Sequence, residues 1–346
     1  MYNILCTLLK KKINKLFLYW LFISLILVFF IIIVGGLTRL TNSGLSITEW
    51  ELIKGILPPL TNTSWEFYFN EYKKIPQYQL LNNDMELDQF KVIFYWEYFH
   101  RILGRIIGLF FLIPLIFFYF SKTISNDHMK ICFIILILII SQGIIGWYMV
   151  KSGLTNDVTV SHYRLSVHLG NAIIIISILF WLIKRVTSKR VKLFFIFSKK
   201  NLPFQVLILL ILLQIIVGAF VSGLDAGKIY QTWPLMGNNY VPDDFSFKTL
   251  NNYFDLDNHS LVQFYHRNLA YLIIFYALVL SIYIFKNKIF NLYKPLQILL
   301  FFLALQVALG IFTLITGLNI YLASSHQITS VLLVFSALNL YFLRVK

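Results

Sequence analysis

The feature that most limits what this chain can become is a recurrence of apolar runs of about 20 residues, each long enough to cross a hydrocarbon core of roughly 30 Å as an α-helix. Eight runs are present, at 16–37, 97–120, 130–150, 163–183, 203–224, 262–285, 296–317 and 320–343. The last two are split only by the turn signal Gly317–Asn319. Residues are 58% hydrophobic, too much apolar surface for a soluble domain to hide. The expectation is an all-α integral membrane protein with eight transmembrane helices.

A net charge of +15 would suit a nucleic-acid partner if it formed a patch, but its distribution points elsewhere. With eight spans, one side of the membrane receives 1–15, 121–130, 184–202, 286–295 and the tail from 344. Those segments hold 18 Lys/Arg and a single acid, Asp127, while the rest holds 12 Lys/Arg and 14 Asp/Glu. This positive-inside bias places both termini in the cytoplasm, within a bacterial inner membrane, with the bilayer and no nucleic acid as partner. Cys6 and Cys132 fall near the reducing face, so no structural disulfide is expected. The first 15 residues lack transit-peptide character, and "GGLTRL" after the first run is no cleavage pattern.

The runs are organised as an internal repeat. "IIVGGLTRLTNSGL" (32–45) resembles "IIVGAFVSGLDAGK" (215–228), and the same register sets Trp50 on Trp233. "YFHR" (98–101) matches "FYHR" (264–267), "SQGIIGWYMVKSGL" (141–154) matches "LQVALGIFTLITGL" (305–318), and "SVHLGNAIIIISIL" (166–179) loosely matches "SSHQITSVLLVFSA" (324–337). Four spans per half return the chain to its starting side. The halves are therefore expected to be parallel copies, two pseudo-symmetric four-helix bundles. The boundaries are 1–183, a basic linker 184–202, and 203–346. The long outer loops, 38–96 and 225–261, are expected to fold down as caps.

Of seven histidines, His128, His162 and His259 lie in or beside loops and read as solvated or locally bonded side chains. His100, His168, His266 and His326 form one pair per half at equivalent positions, each within the first turn or two of an even-numbered span near its outer end. A lone histidine in a span is more often a helix–helix hydrogen-bonding residue. Four at one depth suit two facing imidazoles per half, the axial positions of a haem iron. Zinc or copper, wanting three or four ligands, could recruit Glu97 in the first half, but the second half has Gln263 there. Arg101 and Arg267 follow their histidines and match haem propionates; the alternative is snorkelling to headgroups. Glu97 lies three residues before His100 on the same helix face. It has Gln263 as its partner, so the half with the carboxylate is expected to be the chemical one, Glu97 moving protons. The alternative for Glu97 is an ion pair with Arg101 or a loop lysine.

From about residue 17 to 343 the chain resembles the haem A synthase family, in its cysteine-free alpha-proteobacterial and mitochondrial subgroup. The marks are "GGLTRLTNSGLSITEWELIKGILPPL" (35–60), "EYFHRILGR" (97–105), "VHLGNA" (167–172), "FVSGLDAGKIYQTWPLM" (220–236), "YHRNLAY" (265–271) and "SSHQ" (324–327). The resemblance implies a b-type haem cofactor (heme b) on His266 and His326, with Arg267 nearby. It implies substrate haem O on His100 and His168, with Arg101 nearby and Glu97 as the active-site carboxylate. The implied reaction turns one methyl group of haem O into the formyl group of haem A, for cytochrome c oxidase. Two hydroxylations give a geminal diol that loses water. Implied partners are haem O synthase, cytochrome c oxidase assembly factors and a second copy of the chain. The cysteine pair that many Gram-positive members carry in the first outer loop is absent. The farnesyl tail of haem O needs an apolar slot, which helix faces open to lipid can supply.

Two other classes make distinct expectations. A di-haem b-type membrane cytochrome carrying electrons across the bilayer would place histidines near both helix ends; quinol oxidation at the outer face would not. A transporter built from repeats predicts broken helices, and Pro114 is the only proline read as interior to a span.

Overall fold

In the computed structural model, residues 2–50, 54–155, 157–188, 193–194, 196–244 and 253–345 are described, with side chains from Lys15 onward except Lys54. Ten α-helices occur among them: α1 (Tyr2–Leu40), α2 (Asn62–Tyr72), α3 (Pro76–Leu81), α4 (Leu87–Ser121), α5 (Asn126–Gly153), α6 (His162–Ser188), α7 (Leu202–Gly223), α8 (His259–Lys286), α9 (Tyr293–Ile315) and α10 (Ile320–Arg344). Eight are long and apolar enough to cross a membrane; α2 and α3 belong to the first outer loop. Part of the basic linker, part of the second outer loop and the side chain of Cys6 lie outside the described residues, while Cys132 is a buried free thiol.

Helix ends follow local chemistry. Ser125, Asn258 and Asn319 cap α5, α8 and α10 by accepting from main-chain N–H groups two or three residues on. The turn between α9 and α10 uses Gly317 at φ +71° and Leu318 at φ +63°, a left-handed bend that a glycine enters cheaply. Two hydrophobic runs with no polar gap thus become two helices.

Helix α4 corrects one expectation. It begins ten residues before the apolar run, so His100 lies well past the first two turns of its helix, whereas His168, His266 and His326 lie within about two turns of theirs. The extra length projects outward, where Phe90 and Phe94 pack with Trp65, Phe69 and Tyr72 of α2 in an aromatic cluster of its own. Trp65 meets Phe94 edge-on at 5.0 Å between centroids. The buried Tyr72 phenol, pushed up to about 12 by desolvation, donates to Gln77 and accepts from Asn82.

The membrane helices contact one another in two closed circuits, α1–α4–α5–α6–α1 and α7–α8–α9–α10–α7. The circuits meet through α6 with α7, α1 with α10, and α6 with α10. Lipid offers helices no hydrophobic gain on association, so close approach depends on small residues and polar bonds. Both occur at this seam. Gly36 of α1 lies directly against the Gln327 side chain of α10, whose Nε2 donates to Ile32 O at 2.9 Å. A Cβ on Gly223 would come within 2.6 Å of His162 Cβ. At the outer end Arg39 closes the seam, donating to Ser222 O and to Asp225 Oδ1 at 3.0 Å.

Candidate functional site

The four candidate histidines face each other in pairs. The rings of His100 (α4) and His168 (α6) are 6.4 Å apart with planes at 62°, and those of His266 (α8) and His326 (α10) are 6.5 Å apart at 77°. Each ring also packs over a glycine of a neighbouring helix. A Cβ on Gly35, Gly146, Gly218 or Gly310 would come within 2.9–3.0 Å of Cε1 of His100, His168, His266 or His326 respectively. Gly35 and Gly218 are repeat equivalents, as are Gly146 and Gly310. Any side chain at these positions would push an imidazole out of place. Their signal was present in the sequence as glycines retained in both copies.

One cavity of about 1290 Å³ is lined by all four histidines and by Glu97, Arg101 and Arg267. Single small-ligand pockets run to about 300–1,000 Å³, so this space suits more than one group or one very large one. With an imidazole nitrogen about 2.0–2.1 Å from its metal, two rings on opposite sides of one ion stand roughly 6 Å apart centre to centre. Both pairs fit that geometry, and the glycines leave room beside each ring. Among the described residues no group of three or more His, Cys, Asp or Glu side chains is disposed to hold a metal ion, so the zinc or copper alternative finds no cluster there.

The partners of the ring nitrogens differ between the halves. Gln214 of α7 brings Nε2 to 3.2 Å from His266 Nδ1, and His326 Nδ1 lies 3.1 Å from Gln306 O. In the first half, Nδ1 of both His100 and His168 is buried with no partner. Ile31 stands at the repeat position of Gln214. Gln142, equivalent to Gln306, donates to His168 O and accepts from Asn171 instead.

Glu97 is buried and its carboxylate is surrounded by donors. Oε2 accepts from Ser46 Oγ and from Ile47 N, each at 2.8 Å; Oε1 accepts from Arg101 Nε at 3.0 Å and Nη2 at 2.6 Å. Arg101 also donates to Ile47 O at 2.9 Å and lies over the Trp50 ring. In the second half, Arg267 Nη2 donates to Tyr230 O at 2.9 Å, Gln263 Nε2 donates to the same oxygen at 2.9 Å, and Arg267 Nη1 reaches Leu235 O. Ile47 and Tyr230 are repeat equivalents. Both arginines therefore tie an outer loop to its helix, and the ion-pair alternative for Glu97 is realised with Arg101. Arg105 donates to Gly55 O, while Tyr271 at its repeat position accepts from Trp233 Nε1. The signal for Ser46 and Ile47 as partners of Glu97 was not in the local sequence, because they lie about 50 residues away and meet it only on folding.

The remaining histidines stay outside this set. His162 lies 3.0 Å from Asp257, His128 stacks near Phe17 at the other end of the molecule, and neither lines the cavity; nor does His259.

Comparison with known proteins matches residues 18–338 to the model of a family described as cytochrome oxidase assembly protein. A heme A synthase of Pelagibacter ubique is 47% identical over 329 residues, covering 92% of this chain and 93% of the relative. A heme A synthase of Rickettsia canadensis is 42% identical over 332 residues (94% and 96%), and one of Flavobacterium johnsoniae is 39% identical over 331 residues (92% and 94%). A match over nearly the whole chain, through both histidine pairs and both outer loops, means that this chain belongs to the cytochrome oxidase assembly protein family, alongside the heme A synthases it resembles.

Proposed function

We propose that the chain is a haem A synthase: a membrane oxidoreductase that takes haem O as substrate and converts one of its methyl groups to the formyl group of haem A. The observation that carries this reading is the pair of like-spaced imidazole sites opening into one cavity, in a chain whose relatives bear the synthase name. That name favours the synthase over the di-haem electron carrier.

The second half, residues 203–346, is the resident site, where His266 and His326 would hold a b-type haem. His326 supports this, because its Nδ1 lies where it can donate to Gln306 O and so fix the ring, while the Gln214 amide lies against both nitrogens of His266. When bound there, such a haem would supply one-electron chemistry beside the substrate. The first half, residues 1–183, is the substrate site. His100 and His168, whose rings face one another across the cavity, would hold haem O. Glu97 acts here as a clamp. Four donors occupy its oxygens, so it holds Ser46 and Ile47 of the loop together with Arg101 of the cavity wall. Arg101 and Arg267, bound to loop carbonyls at the cavity wall, place positive charge where propionates would lie.

Orientation follows the charge bias, with both termini and the 184–202 linker cytoplasmic and the aromatic outer loops on the far side of a bacterial inner membrane. Haem O synthase, oxidase assembly factors and a second copy of the chain are the partners this activity suggests. The test is pigment analysis: haem extracted from purified protein should contain haem B together with haem O, its hydroxylated form or haem A. Haem B alone, unchanged when haem O is supplied, would overturn the synthase reading. A reporter fusion at residue 75 that reads as cytoplasmic would overturn the orientation.

A further inference from the structure

The cavity wall differs between the two circuits. In the first it includes Ile140, Gly143 and Ile144 of α5, all three exposed, Ile140 at 54% and Ile144 at 59%. These residues line the same cavity as His100 and His168. Across the gap on α4, Gly104 also lines the cavity, and a Cβ there would meet only Ile31, at 3.7 Å. At Gly143 a Cβ would meet nothing within 4 Å. The repeat equivalents in the second circuit carry more bulk or stand aside. Ala270 replaces Gly104 and Val307 replaces Gly143, while Ala304 and Ala308, at the positions of Ile140 and Ile144, do not reach the cavity. The two glycines belong to one half only, lie within two membrane-spanning helices, and line the same cavity as His100 and His168, whose Nδ1 atoms are buried without partners.

We propose that this gap between α4 and α5 takes the isoprenoid tail of the substrate haem, the tetrapyrrole standing between His100 and His168 while the tail runs out past Gly104 and Gly143 toward the acyl chains. The inference rests on the reading above that the first half holds the substrate. Its physical basis is the medium. An isoprenoid chain gains by staying out of water in proportion to its length, and elsewhere the cavity wall carries the cations Arg39, Arg101 and Lys228. A lateral exit keeps the chain in an apolar environment from bilayer to bound state. The same feature sorts the two haems: side chains at 270 and 307 leave the second pocket room for a tetrapyrrole without a tail and deny room to one that has it.

The experiment is a haem titration of the full-length protein in detergent, followed by absorbance, with haem O and with tail-less protohaem as probes. Gly143→Leu and Ile140→Trp block the gap from two positions on α5, and the spectrum of the haem at His266 and His326 reports that each variant is folded. Expected is a loss of at least tenfold in haem O affinity at the first site in both variants, with protohaem binding there unchanged. Equal loss for both probes, or none for haem O, overturns the proposal. His100→Ala run alongside separates this from the parent reading: it should abolish binding of both probes at the first site. Haem O that still binds this variant with full affinity shows that the substrate assignment, not the tail exit, has failed.

Discussion

The two halves share a scaffold and differ at a few points around the histidines. Both place a ring pair about 6.4–6.5 Å apart over glycines, and both use an arginine one residue after a histidine to hold the main chain of an outer loop. The first half has a carboxylate at 97 held by four donors, unpartnered ring nitrogens, and glycines along the α4–α5 gap. The second has an amide at 263, ring nitrogens met by Gln214 and Gln306, and larger side chains along the equivalent gap. A duplicated fold diverges at low cost where side chains face a cavity, because the backbone need not move. Under the function proposed above, the difference is a division of labour between a copy that keeps its haem and a copy that receives the substrate.

The strongest way to break that comparison is to remove a ligand from each half. His266→Ala or His326→Ala should eliminate the low-spin spectrum of the resident haem while the chain still inserts. His100→Ala or His168→Ala should leave that spectrum in place and abolish haem A output. Equal loss of the resident spectrum from all four variants would erase the distinction between the halves.

Next in size is Glu97→Gln, which gives the first half the side chain of its sister. The second half can use an amide because Gln263 donates to a carbonyl. At position 97 the partners are all donors, and the amide nitrogen would face either Arg101 or the Ser46–Ile47 pair. Leaving a buried charged group short of a partner costs more than the roughly 1–3 kcal/mol of a neutral one. Haem A output should therefore fall by about 100-fold or more, at the low end of the range for losing an acid–base group, with the resident haem retained. The clamp is distinguished from a proton carrier by Ser46→Ala. It removes one bond to a charged acceptor, worth about 1.5–3 kcal/mol, and should lower output roughly tenfold. Normal output in Ser46→Ala beside collapse in Glu97→Gln would return the carboxylate to proton transfer.

Smaller effects come from the glycines. Gly35→Ala places a methyl 2.9 Å from His100, and Gly218→Ala places one 3.0 Å from His266. Gly218→Ala should shift the resident-haem spectrum and Gly35→Ala should leave it alone while weakening haem O binding several-fold. The reverse pattern would mean the haem assignments are exchanged. The smallest expected effect is at the seam. Arg39→Ala removes bonds from the first half to Ser222 and Asp225 of the second, and the unfolding midpoint should drop by about 1–2 °C, what 1 kcal/mol does in a chain of this size. An unchanged midpoint would mean that the two circuits are held together by the Gln327 and Gly223 contacts instead.

Much of this was legible in the sequence. Span number, the repeat and the four histidines follow from hydropathy and spacing, which act over one helix length and need no knowledge of neighbours. The ten-residue outward extension of α4 was not legible, because it is stabilised by α2 through Trp65 and Phe69, and its own residues read as a mixed loop. The partners of Glu97 escaped for a similar reason. A carboxylate three residues before a histidine suggests proton chemistry, and only the approach of Ser46 and Ile47, folded back from the preceding loop, fills its lone pairs.

By itself, then, the sequence determined which segments enter the bilayer and which side chains recur in both copies, since burying an apolar run and repeating a motif are properties of the chain. Tertiary structure decided which recurring residues meet, that the two sites share one cavity, and that Gly104 and Gly143 of the first half fall on its wall. Those outcomes depend on how helices far apart in sequence pack, where a glycine or a valine at one wall position leaves or fills a space that no local pattern records.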